Sequence, residues 1–310
     1  FPGHYIVRSY NYSKKIYKAF LKKKDVDFVY AQGFTGWFYV LKKKNYNLPP
    51  IAVNFHGLEM YQKAASPKEW LKQQIFKPPL KKITKLTNIN YSLGGKITPI
   101  LKKLAPDQNV IERPNAVTDD WLVKSCGEQK NKIKKFVFLG RYVRHKGIQE
   151  LSKVLKSLTS IYNFEFNFIG PIPDKNKIVS KNILYHGVIE DKDGNSNKIK
   201  NILRNSDCLI CPSYSEGMPT VILEAMASGC CIIASDVGAV RCIVDKNNGW
   251  LISPGNTYEL RQSILEVINS DEKTLRQKKL NSIKKVKENF IWDKVIKNII
   301  NDIAEFKEEY

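Results

Sequence analysis

Short apolar runs alternate along the chain with longer stretches in which apolar positions recur at helical spacing. In the first part, Asp27–Ala31, Ile51–Phe55, Asn88–Ser92 and Asn109–Glu112 read as strands, and Ser13–Lys24, Pro67–Phe76 and Gly95–Leu104 read as helices. Pro78-Pro79 predicts a break in any helix through that point, because each proline removes a backbone N–H and crowds the carbonyl four residues back. Ser125 to Lys134 is polar and has no apolar period, which predicts a connection between domains. A second series follows. Lys135–Leu139, Phe164–Ile169, Ile183–His186, Asp207–Cys211 and Cys231–Ser235 read as strands. Gly147–Thr159, Asn197–Asn205, Pro219–Ser228, Ala239–Val244 and Thr257–Asn269 read as helices, and 272–310 as long charged helices. This alternation marks βαβ units and parallel sheets, so the predicted class is α/β.

At 310 residues, 43% of them hydrophobic, the chain can build two cores of ~150 residues each. The expected division is 1–125, a linker at 126–134, 135–288, and a closing helix at 289–310. No run of ~18 apolar residues and no secretory leader is visible, which predicts a cytoplasmic protein. Six cysteines occur, five of them between Cys208 and Cys242, mostly in apolar runs. Cys208 and Cys211 have zinc-like spacing without a second half, and residues three apart on a strand face opposite ways, so buried reduced thiols are expected. The net charge of +21 rests on 43 Lys and only 8 Arg. Nucleic-acid readers lean on Arg for bidentate base contacts, so this balance argues against a nucleic-acid partner. It is also uneven: residues 1–125 carry 22 basic and 8 acidic side chains, net +14, against 29 and 22, net +7, in the rest.

Two segments carry candidate chemistry. In Pro212 to Gly229 a strand ends, a loop with Glu216, Gly217 and Met218 follows, Pro219 stands where a helix should start, and Gly229 where it should end. Loop amides and a helix N-terminus suit phosphate. Glu216 and, eight residues on, Glu224 supply carboxylates that accept paired bonds from vicinal hydroxyls. In Phe136 to Gly147 a strand runs into a loop with Gly140, Arg141 and Lys146. Ligands of parallel sheets bind outside the carboxyl ends of strands, and two cations there can neutralise a diphosphate.

Together these segments resemble the retaining glycosyltransferases of family 4. Further matching landmarks are Phe168-Ile-Gly-Pro171, Tyr185-His-Gly-Val188, Ala227-Ser-Gly229 and Gly249-Trp-Leu, in order over about 120 residues. The resemblance implies a GT-B fold, two Rossmann-like domains facing across a cleft. It implies that Arg141 and Lys146 hold a donor diphosphate and that Glu224 binds the ribose. Glu216, with Gly217, Met218 and Pro219, would hold the donor sugar, and Val188 would lie by the base. Phe55-His-Gly57 resembles the family's His-Gly turn, which places His56 beside the donor sugar. Arg113-Pro-Asn-Ala-Val117 resembles its Asn-Gly-Val turn with Ala116 in place of Gly. Phe290-Ile-Trp292 resembles the aromatic signature before a helix that returns to the first domain.

The implied reaction is metal-independent transfer from a nucleotide-diphosphate sugar, UDP-linked by family frequency, to a glycan or glycolipid acceptor, with no other cofactor. An anionic membrane face is a further expected partner of residues 1–125, through the basic and apolar segment around Trp70, Leu71, Lys72, Lys77, Lys81, Lys82 and Lys85. The family's opening strand and Gly-rich loop have no counterpart before Asp27, so the expectation is either that the sequence lacks its beginning or that the first domain is reduced. A sugar-nucleotide epimerase of the same fold is the alternative enzyme, although its acidic and His fingerprint is missing. A nucleotide-sugar-binding subunit without catalysis is the alternative of another class. Asp25-Val-Asp27 and Asp191-Lys-Asp193 mimic an acidic metal motif; the first opens a strand, and the second lacks the Gly and Glu that a calcium loop needs at its sixth and twelfth positions.

Overall fold

The structure, a computed structural model, describes residues 4–43, 47–125, 133–190 and 197–309. The predicted linker core at 126–132, Cys126 and the acidic segment 191–196 lie outside the described residues.

The first sheet is parallel and four-stranded, with β1 (Val29–Gln32), β2 (Ile51–Asn54), β3 (Ile89–Ser92) and β4 (Asn109–Glu112) lying side by side in chain order. On one face pack α1 (His4–Phe20), α2 (Trp37–Lys43) and α3 (Pro67–Leu86), with Tyr17, Tyr39, Val40 and Ile83 against Ile51 and Val53. α4 (Ile97–Leu104) follows β3 and buries Ile97 and Leu101.

The second sheet is parallel and six-stranded. It is built from β5 (Lys134–Leu139), β6 (Phe164–Ile169), β7 (Ile183–Tyr185), β8 (Cys208–Cys211), β9 (Cys231–Ser235) and β10 (Gly249–Ile252) in the order β10-β9-β8-β5-β6-β7. β8 and β9 are buried at every position, as strands covered on both faces must be. Cys208 joins the core that Phe136, Phe166 and Leu155 build, whereas Cys211 points into the opposite one with Ile222 and Met226. The covering helices are α5 (Ile148–Leu158), α6 (Asn197–Arg204), α7 (Thr220–Ala227), α8 (Val240–Ile243), α9 (Thr257–Asn269) and α10 (Glu272–Asn289). The last helix, α11 (Trp292–Glu309), follows a single bridge between Val117 and Ile291 and lies on the other face of the first sheet. There Phe306 meets Phe28 and Tyr91, and Asp302 pairs with Arg113. The architecture is α/β of the GT-B type, two Rossmann-like units facing each other.

Three readings need correction. The helix that was expected to stop before Pro78-Pro79 runs through both to Leu86. Its start is capped, with Ser66 Oγ accepting from the Glu69 N–H and Glu69 returning a bond to the Ala65 N–H. Its far half buries Leu80 and Ile83 completely. Burying two such side chains contributes about 3–6 kcal/mol, which offsets much of the roughly 3 kcal/mol that each of the two interior prolines costs. Second, α1 starts well before Ser13, because His4–Tyr12 presents no buried stripe that an apolar period could reveal. Third, α2 and β10 had no counterpart among the expected elements; both are short, and β10 opens on a glycine.

Candidate functional site

The second sheet changes direction between β5 and β8, and the loops leaving their carboxyl ends lie against each other. Gly147 adopts a left-handed φ of 67°, and a Cβ there would overlap the Pro212 carbonyl, so only glycine allows the two loops to meet. The Tyr214 N–H donates to the His145 carbonyl at 2.7 Å. Arg144 reinforces the junction: it grips Glu150 at 2.7 and 2.9 Å and lies over the Tyr214 ring, whose hydroxyl donates to Glu150 at 2.9 Å. No local sequence feature links Glu150 to Tyr214, and sequence reasoning did not find this support.

At the junction Lys146 Nζ stands 2.6 Å from Glu216 Oε1. Burial pulls the Lys146 pKa down, but the Glu216 carboxylate, with lesser help from Cys211, outweighs it and leaves the ammonium above its ordinary value. The cation expected on the phosphate and the carboxylate expected on the sugar therefore face each other directly. Arg141, two residues beyond the end of β5 and five before Lys146, is exposed and without an ion pair among the described residues. Gly140 donates to the Ile169 carbonyl, and Gly170 is packed on the Gly140 carbonyl where no side chain would fit.

The Gly217 and Met218 N–H groups have no protein acceptor among the described residues. The Met218 side chain is buried, so only its backbone is presented. Pro219 caps α7 from outside the helix, one position earlier than expected, and Gly229 ends it at φ 86°. Glu224 projects from α7, half-buried; burial raises its pKa, against a smaller lowering by a bond from Thr220. Val188, at 66% exposure, lies on the strand-end segment beyond β7.

The first unit reaches this loop directly. His56 holds φ 53°, a conformation uncommon outside glycine, with its N–H on Asn54 Oδ1 at 2.8 Å. A Cβ on Gly217 would overlap the His56 carbonyl, and one on Gly57 would stand 2.9 Å from the Gly217 Cα. Burial lowers the His56 pKa, and a bond to Asn115 opposes this only in part, so the ring is neutral at pH 7. The Gly94-Gly95 turn meets Gly238 in the same manner, with the Lys96 N–H on the Gly238 carbonyl at 2.9 Å and Lys96 Nζ 2.9 Å from Asp236. Between the units lies a cavity of about 230 Å³ lined by Phe34, Met60, Phe76, Glu59, Glu69 and His145. Asp27, from the acidic pair discounted as a metal site, bonds instead to Lys307 at 3.1 Å.

Residues 124–285, just over half of the chain, match the family described as glycosyl transferases group 1. The chain belongs to this family. Within the group 1 glycosyl transferases it is similar to a candidate teichuronic acid biosynthesis glycosyltransferase of Bacillus subtilis, TuaC, at 35% identity over 128 residues, 41% of this chain and 31% of that one. It is also similar to the N,N'-diacetylbacillosaminyl-diphospho-undecaprenol alpha-1,3-N-acetylgalactosaminyltransferase of Campylobacter jejuni, at 29% identity over 53% of this chain and 45% of that one. The matched region thus spans less than half the length of either relative. Sucrose-phosphate synthase from Thermosynechococcus elongatus shares the fold, with a TM-score of 0.79 at 16% identity over 97% of this chain and 79% of that one. Among the described residues no helix is long and apolar enough to cross a membrane.

Proposed function

We propose that this group 1 glycosyl transferase moves a hexose-type residue from a nucleotide-diphosphate sugar, UDP-linked by preference, to a hydroxyl of a glycan or glycolipid, with retention and without a metal ion. The reading extends to family 4 and to cell-surface polysaccharide or glycolipid synthesis. One observation carries it: Lys146 and Glu216 meet at the switch point of the second sheet, beside the Gly217 and Met218 amides, which have no partner among the described residues. In this account Glu224 binds the ribose, Val188 lies by the base, and Arg141 and Lys146 neutralise the diphosphate. Donor binding draws Lys146 toward phosphate and frees the Glu216 carboxylate for sugar hydroxyls.

As the bond from the anomeric carbon to the phosphate oxygen breaks, negative charge grows on the leaving diphosphate, where prearranged cations and amides stabilise it most. The acceptor oxygen attacks from the same face, and its proton passes to the departing phosphate oxygen. Neutral His56 stands beside the donor sugar as a hydrogen-bonding group. The acceptor enters from the first unit, whose net charge of +14 and whose exposed Tyr5, Trp70 and Leu71 suit the cytoplasmic face of an anionic membrane. A thermal-shift screen against nucleotide sugars tests the proposal, since a ligand at 100 times its Kd adds roughly 2.7 kcal/mol. UDP-sugars are expected to stabilise the protein, the best of them to be consumed, and transfer to persist in chelator. A screen with no stabilising nucleotide sugar would reject the proposal.

A further inference from the structure

The loop that carries Glu216 is gripped from across the cleft. Gln62, which follows the short helical turn after Leu58, lays its side-chain amide along the Glu216 backbone. Its Nε2 donates to the Glu216 carbonyl at 2.6 Å, and its Oε1 accepts the Glu216 N–H at 3.1 Å. Two bonds from one planar amide to one residue fix both the place and the tilt of that residue's backbone. Asn115 acts two residues further along the loop, where its Nδ2 donates to the Met218 carbonyl at 2.7 Å while its amide also bonds the His56 ring. Between these two grips Gly217 lies against the His56 carbonyl with no room for a side chain. Glu216 is thus divided between the units: its carboxylate is met by Lys146 of the second, and its backbone is registered by the first.

We propose that Gln62, assisted by Asn115, is a positioning residue that makes the orientation of Glu216 depend on contact between the two units. The proposal rests on the donor-site reading above. Both Gln62 bonds lie across the cleft, so any separation of the units breaks them together and releases the loop that presents the sugar-binding carboxylate. Lys146, Arg141 and Glu224 all belong to the second unit, so the nucleoside diphosphate binds whether or not the grip is made. Alignment of the sugar requires it. Domain contact and sugar alignment become one event, which withholds an aligned donor until the acceptor-side unit is in place.

Gln62→Leu removes both bonds at similar bulk, and Gln62→Asn keeps the amide but is too short to make both. Three readouts separate the outcomes: hydrogen exchange of the 214–219 amides in the ligand-free protein, UDP affinity by calorimetry, and kcat and KM with the nucleotide sugar that the thermal-shift screen selects. In Gln62→Leu the Glu216 amide is expected to exchange at least about tenfold faster, in line with the loss of two bonds. UDP affinity is expected to stay within about twofold, and kcat to fall roughly fivefold to a hundredfold with little change in donor KM. Gln62→Asn should show the same pattern at smaller size, and it carries the test if the leucine variant melts early. Unchanged exchange at Glu216 in both variants would overturn the grip. Faster exchange with unchanged kcat would overturn its role in transfer. A wild-type protein that protects the Glu216 amide yet transfers no sugar would instead overturn the proposed function and leave the grip standing.

Discussion

The two sheets divide the work unequally. The second reverses its strand order between β5 and β8, and that reversal opens a crevice into which Lys146, Glu216 and the loop amides project. The first runs β1 to β4 in chain order with no reversal, and its strands have four residues each. It contributes backbone and amide contacts instead: Gly57 on Gly217, Gln62 on Glu216, Asn115 on Met218. On the proposed reading, one unit supplies the donor-binding groups and the other sets their register. Damage to the first unit should therefore spoil alignment, and damage to the second should spoil binding.

The largest effect is expected where the units touch without side chains. Gly217→Ala forces a methyl into the His56 carbonyl, and overpacking of this kind costs about 1–3 kcal/mol. Transfer is expected to fall by more than about a hundredfold, with a lower melting temperature. Turnover near wild type would show that the glycine contact is not maintained in solution. Next in size is Lys146→Ala, which removes a charged hydrogen bond worth ~1.5–3 kcal/mol, or roughly 10- to 150-fold in kcat/KM for the donor. Lys63→Ala, which removes an exposed first-unit cation bonded to the Pro254 carbonyl, should change kcat/KM less than about twofold. Equal losses in the two variants would erase the distinction between the units.

A smaller effect separates stability from function at Glu224. Its folded pKa is raised by burial, so folding favours the protonated form. That contribution is present below the unfolded carboxylate value and is lost as pH rises through the folded one. Ligand-free Glu224→Gln should then melt no lower than wild type at pH 7–8, and the two should converge toward pH 4, which a melting series against pH reads directly. A large loss of stability at pH 7 would mean that the bond from Thr220 to the Glu224 carboxylate outweighs its burial. The smallest effect concerns the outer face of the first unit. Wild type should be retained on anionic vesicles more than on neutral ones at low salt, and Trp70→Ser with Leu71→Ser should weaken this by about tenfold or less. Equal retention on both vesicles would reduce the lysines to a solvated face.

The second unit was the more legible of the two in sequence, for a physical reason. The residues proposed to hold the donor sit at strand ends, so Gly140, Arg141 and Lys146 after β5, and Glu216 to Pro219 after β8, are local in the chain. Periodicity located its long buried strands, two of them to the residue. What it could not show was pairing at a distance. The meeting of Lys146 with Glu216, 70 positions apart, and of Gln62 with Glu216, 154 apart, depends on how the sheet reverses and how the units face. Gln62 lies in a mixed stretch, Leu58-Glu-Met-Tyr-Gln-Lys-Ala-Ala65, with no motif, so nothing marked it. Pro78-Pro79 misled for the converse reason: a local rule was overruled by Leu80 and Ile83 in the core.

The central claim is that Glu216 and Glu224 serve different parts of one donor, and a paired measurement of Glu216→Gln and Glu224→Gln tests it most directly. Both substitutions keep size, and both proteins should first be shown to fold by their melting curves. Each variant loses a charged acceptor of a hydroxyl bond, worth roughly 10- to 150-fold. At Glu224, remote from the bond being broken, the loss should appear mainly as a higher donor KM. At Glu216, beside the transferred sugar, it should appear in kcat as well. Wild-type donor binding and turnover in both variants would place the donor elsewhere and contradict the account.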